Sequence, residues 1–182
     1  MNPRLSLARL YLPASLRRRK LAELLRLTAR AFDATPPSVA GLSLLALRRL
    51  YADFSRQAAE RALDRPATLA ATEQRLFDEA LGLGREIGRE LRVSTPREVM
   101  AAAGILYRAL GIDLEGRPDG AIAVRRCSFS ERYSPGVCRV MSSVDAGVLA
   151  GLAGGGRLEF TARLTDGAPR CRAHFSFPGA ER

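Results

Sequence analysis

"RLEFTARLTDGAPRCRAHFSF", residues 157–177, decides the fold class. Its first run places Leu158, Phe160, Ala162 and Leu164 on one side. Its second places Cys171, Ala173, Phe175 and Phe177 on one side. A period of two is the signature of a strand with one apolar face. Asp166-Gly167 between the runs is a hairpin-turn signal. Two antiparallel strands are therefore predicted at the C-terminal end.

Working back along the chain, "GGG" at 154–156 stops a helix predicted over 135–152. "AIAVRRCSF", residues 121–129, reads as a strand after the turn chemistry of "GRPDG" at 116–120. The first half has helical periodicity instead. Helices are predicted over 14–33, 38–63 and 68–91, with Ser38 as the N-cap of the second. A fourth starts at Ser94 or Thr95 and ends near Gly111. Pro36-Pro37 and the "DRP" of 64–66 punctuate them. "STPREVM" carries a cap, a proline in the first turn and Glu98 at capping-box spacing. The predicted class is α+β: N-terminal helices, then a β-α-β-β unit whose small antiparallel sheet packs on helices. The expected organisation is a helical extension over 1–66 and an α+β domain over 67–182.

Composition narrows the function. The chain has 182 residues, 47% of them hydrophobic, enough for a core. No apolar run reaches the roughly 20 residues that cross a bilayer, so no membrane span is expected. The N-terminal charges follow the apolar stretch rather than precede it, which does not suit a signal peptide. Three well-separated cysteines fit a reducing compartment. A cytoplasmic protein is expected. The net charge of +10 comes almost wholly from arginine, with Lys20 the sole lysine. Basic residues are spread along helices, Trp is absent and aromatics are only 6%, so stacking platforms for nucleic acid are not expected. The apolar residues Leu42, Leu44, Leu45, Leu47, Leu50 and Tyr51 offer a candidate homodimer surface.

The predicted helix 135–152 is the chemical focus. Ser134 is its cap and Pro135 its first residue, which puts Cys138 in or just after the first turn, where amides and helix dipole favour a thiolate. Seven residues on, Asp145 returns to within about 20° of the same stripe, about 10.5 Å along the axis. Ser142 lies close to that stripe. Cys138 and Asp145 are thus candidate catalytic residues lining one pocket. The alternative reading makes Cys138 a small core residue and leaves Asp145 at the solvent edge.

The strand thiols are less determined. Cys171 is in phase with core residues. Cys127 is in phase with Arg125 and Phe129, opposite to Ile122 and Val124. A four-ligand zinc site is not expected, since Cys171 and His174 point to opposite faces of a strand. A zinc site from Cys138, Cys171 and Glu159 is a weaker alternative, because Glu159 is out of phase with Leu158 and Phe160. GxSxG, Walker, HExxH and CxxC motifs are absent. "GLGREIG" (82–88) lies inside a helix, where Gly84 and Gly88 suit close helix packing rather than a dinucleotide.

The stretches "RRCSFSERYSP", "VCRVMSSVDAG" and "EFTARLTDGAPRCRAHF" together resemble the L-2-amino-thiazoline-4-carboxylic acid hydrolase family, from about Arg125 to Phe177. "LRRLYADFSRQAAERAL" fits that family's helical front half. The same region is similar to vinyl-four-reductase-type ligand-binding domains, some of which hold zinc through cysteines and a glutamate. Here Arg163 or Leu164 stands where such a cysteine is expected. The first resemblance implies a hydrolase acting on a small heterocycle or cyclic C–N bond. Cys138 and Asp145 would then be catalytic, and Cys127, Ser142, Glu159, Cys171 and His174 would bind the substrate. The second implies a non-catalytic small-molecule site for an apolar or tetrapyrrole-like ligand.

Overall fold

The computed structural model describes residues 2–179. It is an α+β protein of six helices and one antiparallel sheet. In chain order come α1 (Pro3–Leu10), α2 (Ala14–Ala31), α3 (Leu44–Leu63), α4 (Pro66–Leu91) and α5 (Pro96–Ala109). These are followed by β1 (Ile112–Gly116), β2 (Ala121–Cys127), α6 (Pro135–Ala153), β3 (Arg157–Ala162) and β4 (Cys171–Ser176). The sheet order is β1-β2-β4-β3.

Local chemistry sets most boundaries. Ser134 accepts from the Val137 amide and caps α6. Thr95 caps α5, while the Glu98 carboxylate accepts from the amide and hydroxyl of Ser94. The second long helix starts at Leu44, six residues later than predicted. Ser43, not Ser38, caps it, because Gly41 turns the chain with φ +72° just before. Two elements were not predicted. Asn2 caps the short α1. "IDLEG" forms β1, so the unit is β-β-α-β-β rather than β-α-β-β.

α6 runs through the middle of the molecule. Among the described residues it is the one helix long and apolar enough to cross a membrane, and most of it is buried in the core. Its neighbour α4 approaches backbone to backbone. A Cβ on Gly84, Gly147 or Gly151 would fall inside van der Waals contact of the Val148, Phe77 or Leu81 carbonyl oxygen respectively. Gly88, by contrast, leaves room for a Cβ at ordinary contact distance, 3.6 Å from the Leu152 oxygen.

One buried cluster runs from Leu5 in α1 through Leu25, Leu47 and Leu76 to Phe175 in β4. The residues before 67 therefore share the core of those after it. The candidate dimer face is largely used up within the chain: Leu47 and Tyr51 are buried, and only Leu45 among the six is an exposed large hydrophobic.

Two irregularities in the sheet decide what faces inward. In β2, Asp113 pairs with Arg126 and Leu114 with Val124, which leaves Arg125 as an extra residue. In β3, Phe160 pairs with Ala173 and Ala162 with Arg172, which leaves Thr161 as the extra one. A bulge of one residue shifts the strand's phase by one side. Cys127 consequently joins Ile122 and Val124 on the inner face, where strict alternation would have turned it outward. Ala162 pairs with the exposed Arg172 instead of sharing the Phe160 side as predicted, and Arg163 turns inward. The predicted Asp166-Gly167 turn forms, but within a longer loop that includes a short 3-10 turn at Leu164–Asp166.

Candidate functional site

Four of the predicted residues meet. Cys127 at the end of β2, Cys138 and Asp145 on α6, and Cys171 at the start of β4 line one cavity of about 90 Å³. The cap at Ser134 fixes the start of α6, so Cys138 and Asp145 share its cavity-facing stripe as the seven-residue spacing requires. The bulge at Arg125 delivers Cys127, and the phase of β4 delivers Cys171.

Asp145 lies deep among protein atoms, yet part of its surface stays accessible, because cavities open onto it. Its Oδ1 accepts a 2.6 Å hydrogen bond from the Tyr107 hydroxyl of α5. Burial pushes the Asp145 carboxyl up to about 6, against the opposing pull of the Tyr107 hydrogen bond and the Arg163 charge. The Tyr107 phenol is raised well above its ordinary value by burial first and by Asp145 next, so it stays protonated and donates.

One to two turns towards the start of α6 lies the cationic end. Arg163 Nη1 donates to Ser142 Oγ at 2.7 Å and sits 3.9 Å from Cys138 Sγ. Its guanidinium also covers the Phe160 ring at 3.9 Å. Ser142 in turn donates to the Cys138 carbonyl. Ser142 thus belongs to the site's rim through Arg163.

The strand thiols are held as thiols. Burial pushes Cys127 up to about 12. Cys171 is raised too, by burial first, although its sulfur accepts from the Leu164 amide at 3.4 Å. Phe129 stacks on Tyr133 and meets Tyr51 edge-on, closing another wall. The Thr165 hydroxyl oxygen on the lining is buried without a hydrogen-bond partner among the described residues. Such a group is what a bound molecule satisfies.

Glu159 and His174 are not brought into this cavity. They pair across β3 and β4 on the exposed outer face. Glu159 makes an ion pair with Arg157, and His174 Nε2 lies 3.1 Å from the Asp119 carbonyl. The reason is the period-two phase: both alternate with the inward Phe160, Ala173 and Phe175. Zinc does not fit the site either. Glu159 is on the wrong face, the Arg163 cation lies beside Cys138, and the described residues contain no cluster of three or more metal-ligating side chains.

Sequence reasoning missed the roles of Tyr107 and Arg163. Tyr107 carried only the helical signal of a core residue, and Arg163 was hidden by the bulge before it. No family model, curated protein or solved structure matches the chain.

Proposed function

We propose that the chain is a hydrolase-like protein acting on a compact heterocycle with a cyclic C–N bond, of the aminothiazoline-carboxylate type. The observation that carries this reading is the buried Asp145 carboxyl, hydrogen-bonded by Tyr107 and open to the cavity. A carboxyl with a pKa of about 6 is ionised at pH 7 and still basic enough to take a proton. Asp145 is the general base. It takes a proton from water as the water oxygen bonds to the ring carbon, and returns it to the departing ring nitrogen as the C–N bond breaks.

The poles of the site suit a small zwitterion. Asp145 faces the cationic amidine nitrogen, and Arg163 faces a carboxylate at the Cys138–Ser142 end. The cavity is far below the ~300–1,000 Å³ of drug-sized sites, which favours a small ring over a tetrapyrrole. The thiols act as lining in this reading. A cysteine nucleophile needs a base within reach, and the sole histidine is on the outer face.

A second reading, small-molecule binding without turnover, is favoured by one observation: burial keeps Cys127 and Cys171 protonated, as a passive wall would be. Mass spectrometry of L-2-amino-thiazoline-4-carboxylate incubated with the purified protein separates the two. Turnover that survives Cys138→Ala but not Asp145→Asn is the expected result. Saturable binding without turnover selects the second reading. Neither turnover nor binding overturns both, and loss in Cys138→Ala alone overturns the assignment of the base.

A further inference from the structure

A cleft where α1, α2 and α5 meet gathers positive charge with no acid on its lining. Arg9 near the end of α1, Arg17 near the start of α2 and Arg108 in the last turn of α5 line a cleft of about 220 Å³ that contains no carboxylate. The ion pairs formed among the described residues use other cations. The Nε of Arg17 is buried and has no hydrogen-bond partner among the described residues. A fourth guanidinium is near. Arg48 donates from Nε to the Ala109 carbonyl, and burial first and the Arg17 charge second lower its pKa. A buried donor without an acceptor carries a desolvation penalty that an anion relieves.

The cleft continues into an apolar cavity of about 100 Å³, with Ala8, Leu12, Arg17, Ile105 and Ala109 common to both walls. Leucines and isoleucines of α2, α4 and α5 line the interior, which ends against Val144, Asp145 and Val148 of α6 and Tyr107 of α5. Lys20 also reaches this wall, but Glu23, Glu86 and Glu90 surround its ammonium at 2.7–3.5 Å. Its charge is matched within the chain, and that of Arg17 is not.

We propose that the cleft and cavity together bind an amphipathic anion: a short acyl chain whose carboxylate head sits among Arg9, Arg17 and Arg108 and whose tail fills the apolar cavity. The space is somewhat less than the ~150 Å³ that accepts benzene, so a tail of about four to six carbons fits. The cavity's inner end shares Asp145 and Tyr107 with the thiol-lined site, but the arginines that hold the head group are not part of that site, so hexanoate binding is expected whether or not that site turns substrate over.

The test is calorimetric titration of the full chain with hexanoate, alongside hexylamine and anionic phospholipid vesicles. Saturable one-to-one binding of hexanoate is expected, with affinity falling at least tenfold in Arg17→Gln and as salt is raised. Hexylamine is expected not to bind. Leu106→Trp, at a half-buried wall position, is expected to fill the tail space and abolish binding. Should that variant not fold, Arg17→Gln and the hexylamine comparison still decide. Absence of saturable hexanoate binding overturns the proposal, as does equal affinity for hexylamine. Vesicle binding that hexanoate does not displace also overturns it, since it would make the arginines a surface patch.

Discussion

The two faces of α6 are built on opposite rules. Gly147 stands nine residues after Cys138, half a turn round the helix. On the glycine face, Gly147 and Gly151 meet the backbone of α4 with no space for a methyl group. On the other face, Cys138, Asp145 and their neighbours border empty volume. The first face fixes where the helix axis lies, and the second leaves functional groups short of partners. A group kept partly unsatisfied, such as Asp145, is held in place by packing on the face that carries no chemistry.

The largest expected effect lies on the packed face. Gly147→Ala should lower stability by about 3 kcal/mol or more, because the new Cβ meets the Phe77 carbonyl and Ala80 rather than a flexible chain end. Chemical denaturation measures it. A loss below about 1 kcal/mol would mean the helices can part, and the contrast between the faces would fail.

Next comes Asp145. Its folded pKa of about 6 exceeds the ordinary carboxylate value, so the folded state holds the proton more tightly than the unfolded chain. That contribution is complete at low pH and is lost as pH rises from about 4 through 6. By pH 8 the buried charge costs the wild type about 3 kcal/mol. Asp145→Asn keeps an acceptor for Tyr107 and should therefore be more stable than wild type at pH 8. The gain should shrink as pH is lowered to 4, while turnover is lost. Denaturant midpoints across that range would show it, and a pH-independent difference would contradict a buried, titrating carboxyl.

A smaller change is expected for Tyr107→Phe. Losing one hydrogen bond should cost about 1 kcal/mol. Because the Tyr107 hydrogen bond lowers the Asp145 pKa, its removal should move the acid limb of the pH–activity profile upward. An unchanged limb would detach Tyr107 from the proton transfer. The smallest effect belongs to the outer sheet face: His174→Ala should leave turnover unchanged and stability within about 0.5 kcal/mol. A large loss of turnover there would bring the imidazole back into the mechanism.

The parts of this site that could be seen in the sequence are those governed by one uninterrupted period. The Ser134 cap and the Cys138–Asp145 stripe follow from helical geometry, and Cys171 follows from the unbroken alternation of β4. The resemblance supplied the idea that they belong together. The inward face of Cys127 and the role of Arg163 escaped because each follows a bulge, and alternation does not announce where it slips. β1 escaped because "IDLEG" is five residues with two acids and a glycine, weak in strand propensity, and it is held by pairing with β2 and packing against α5. Tyr107 reads as a core residue until its partner, 38 positions away, is known.

The bulge at Thr161 gives chain length a chemical meaning. Adding one residue directly after it, with the pairing of Phe160 kept, would shift the phase by one and exchange the sides taken by positions 162 and 163. The guanidinium at 163 would be carried to the outer surface and an aliphatic side chain brought to the cavity rim. A site with two poles would become a site with one, without any substitution in the residues that line it. In a protein of this construction, ligand choice is tunable by counting residues as well as by changing them.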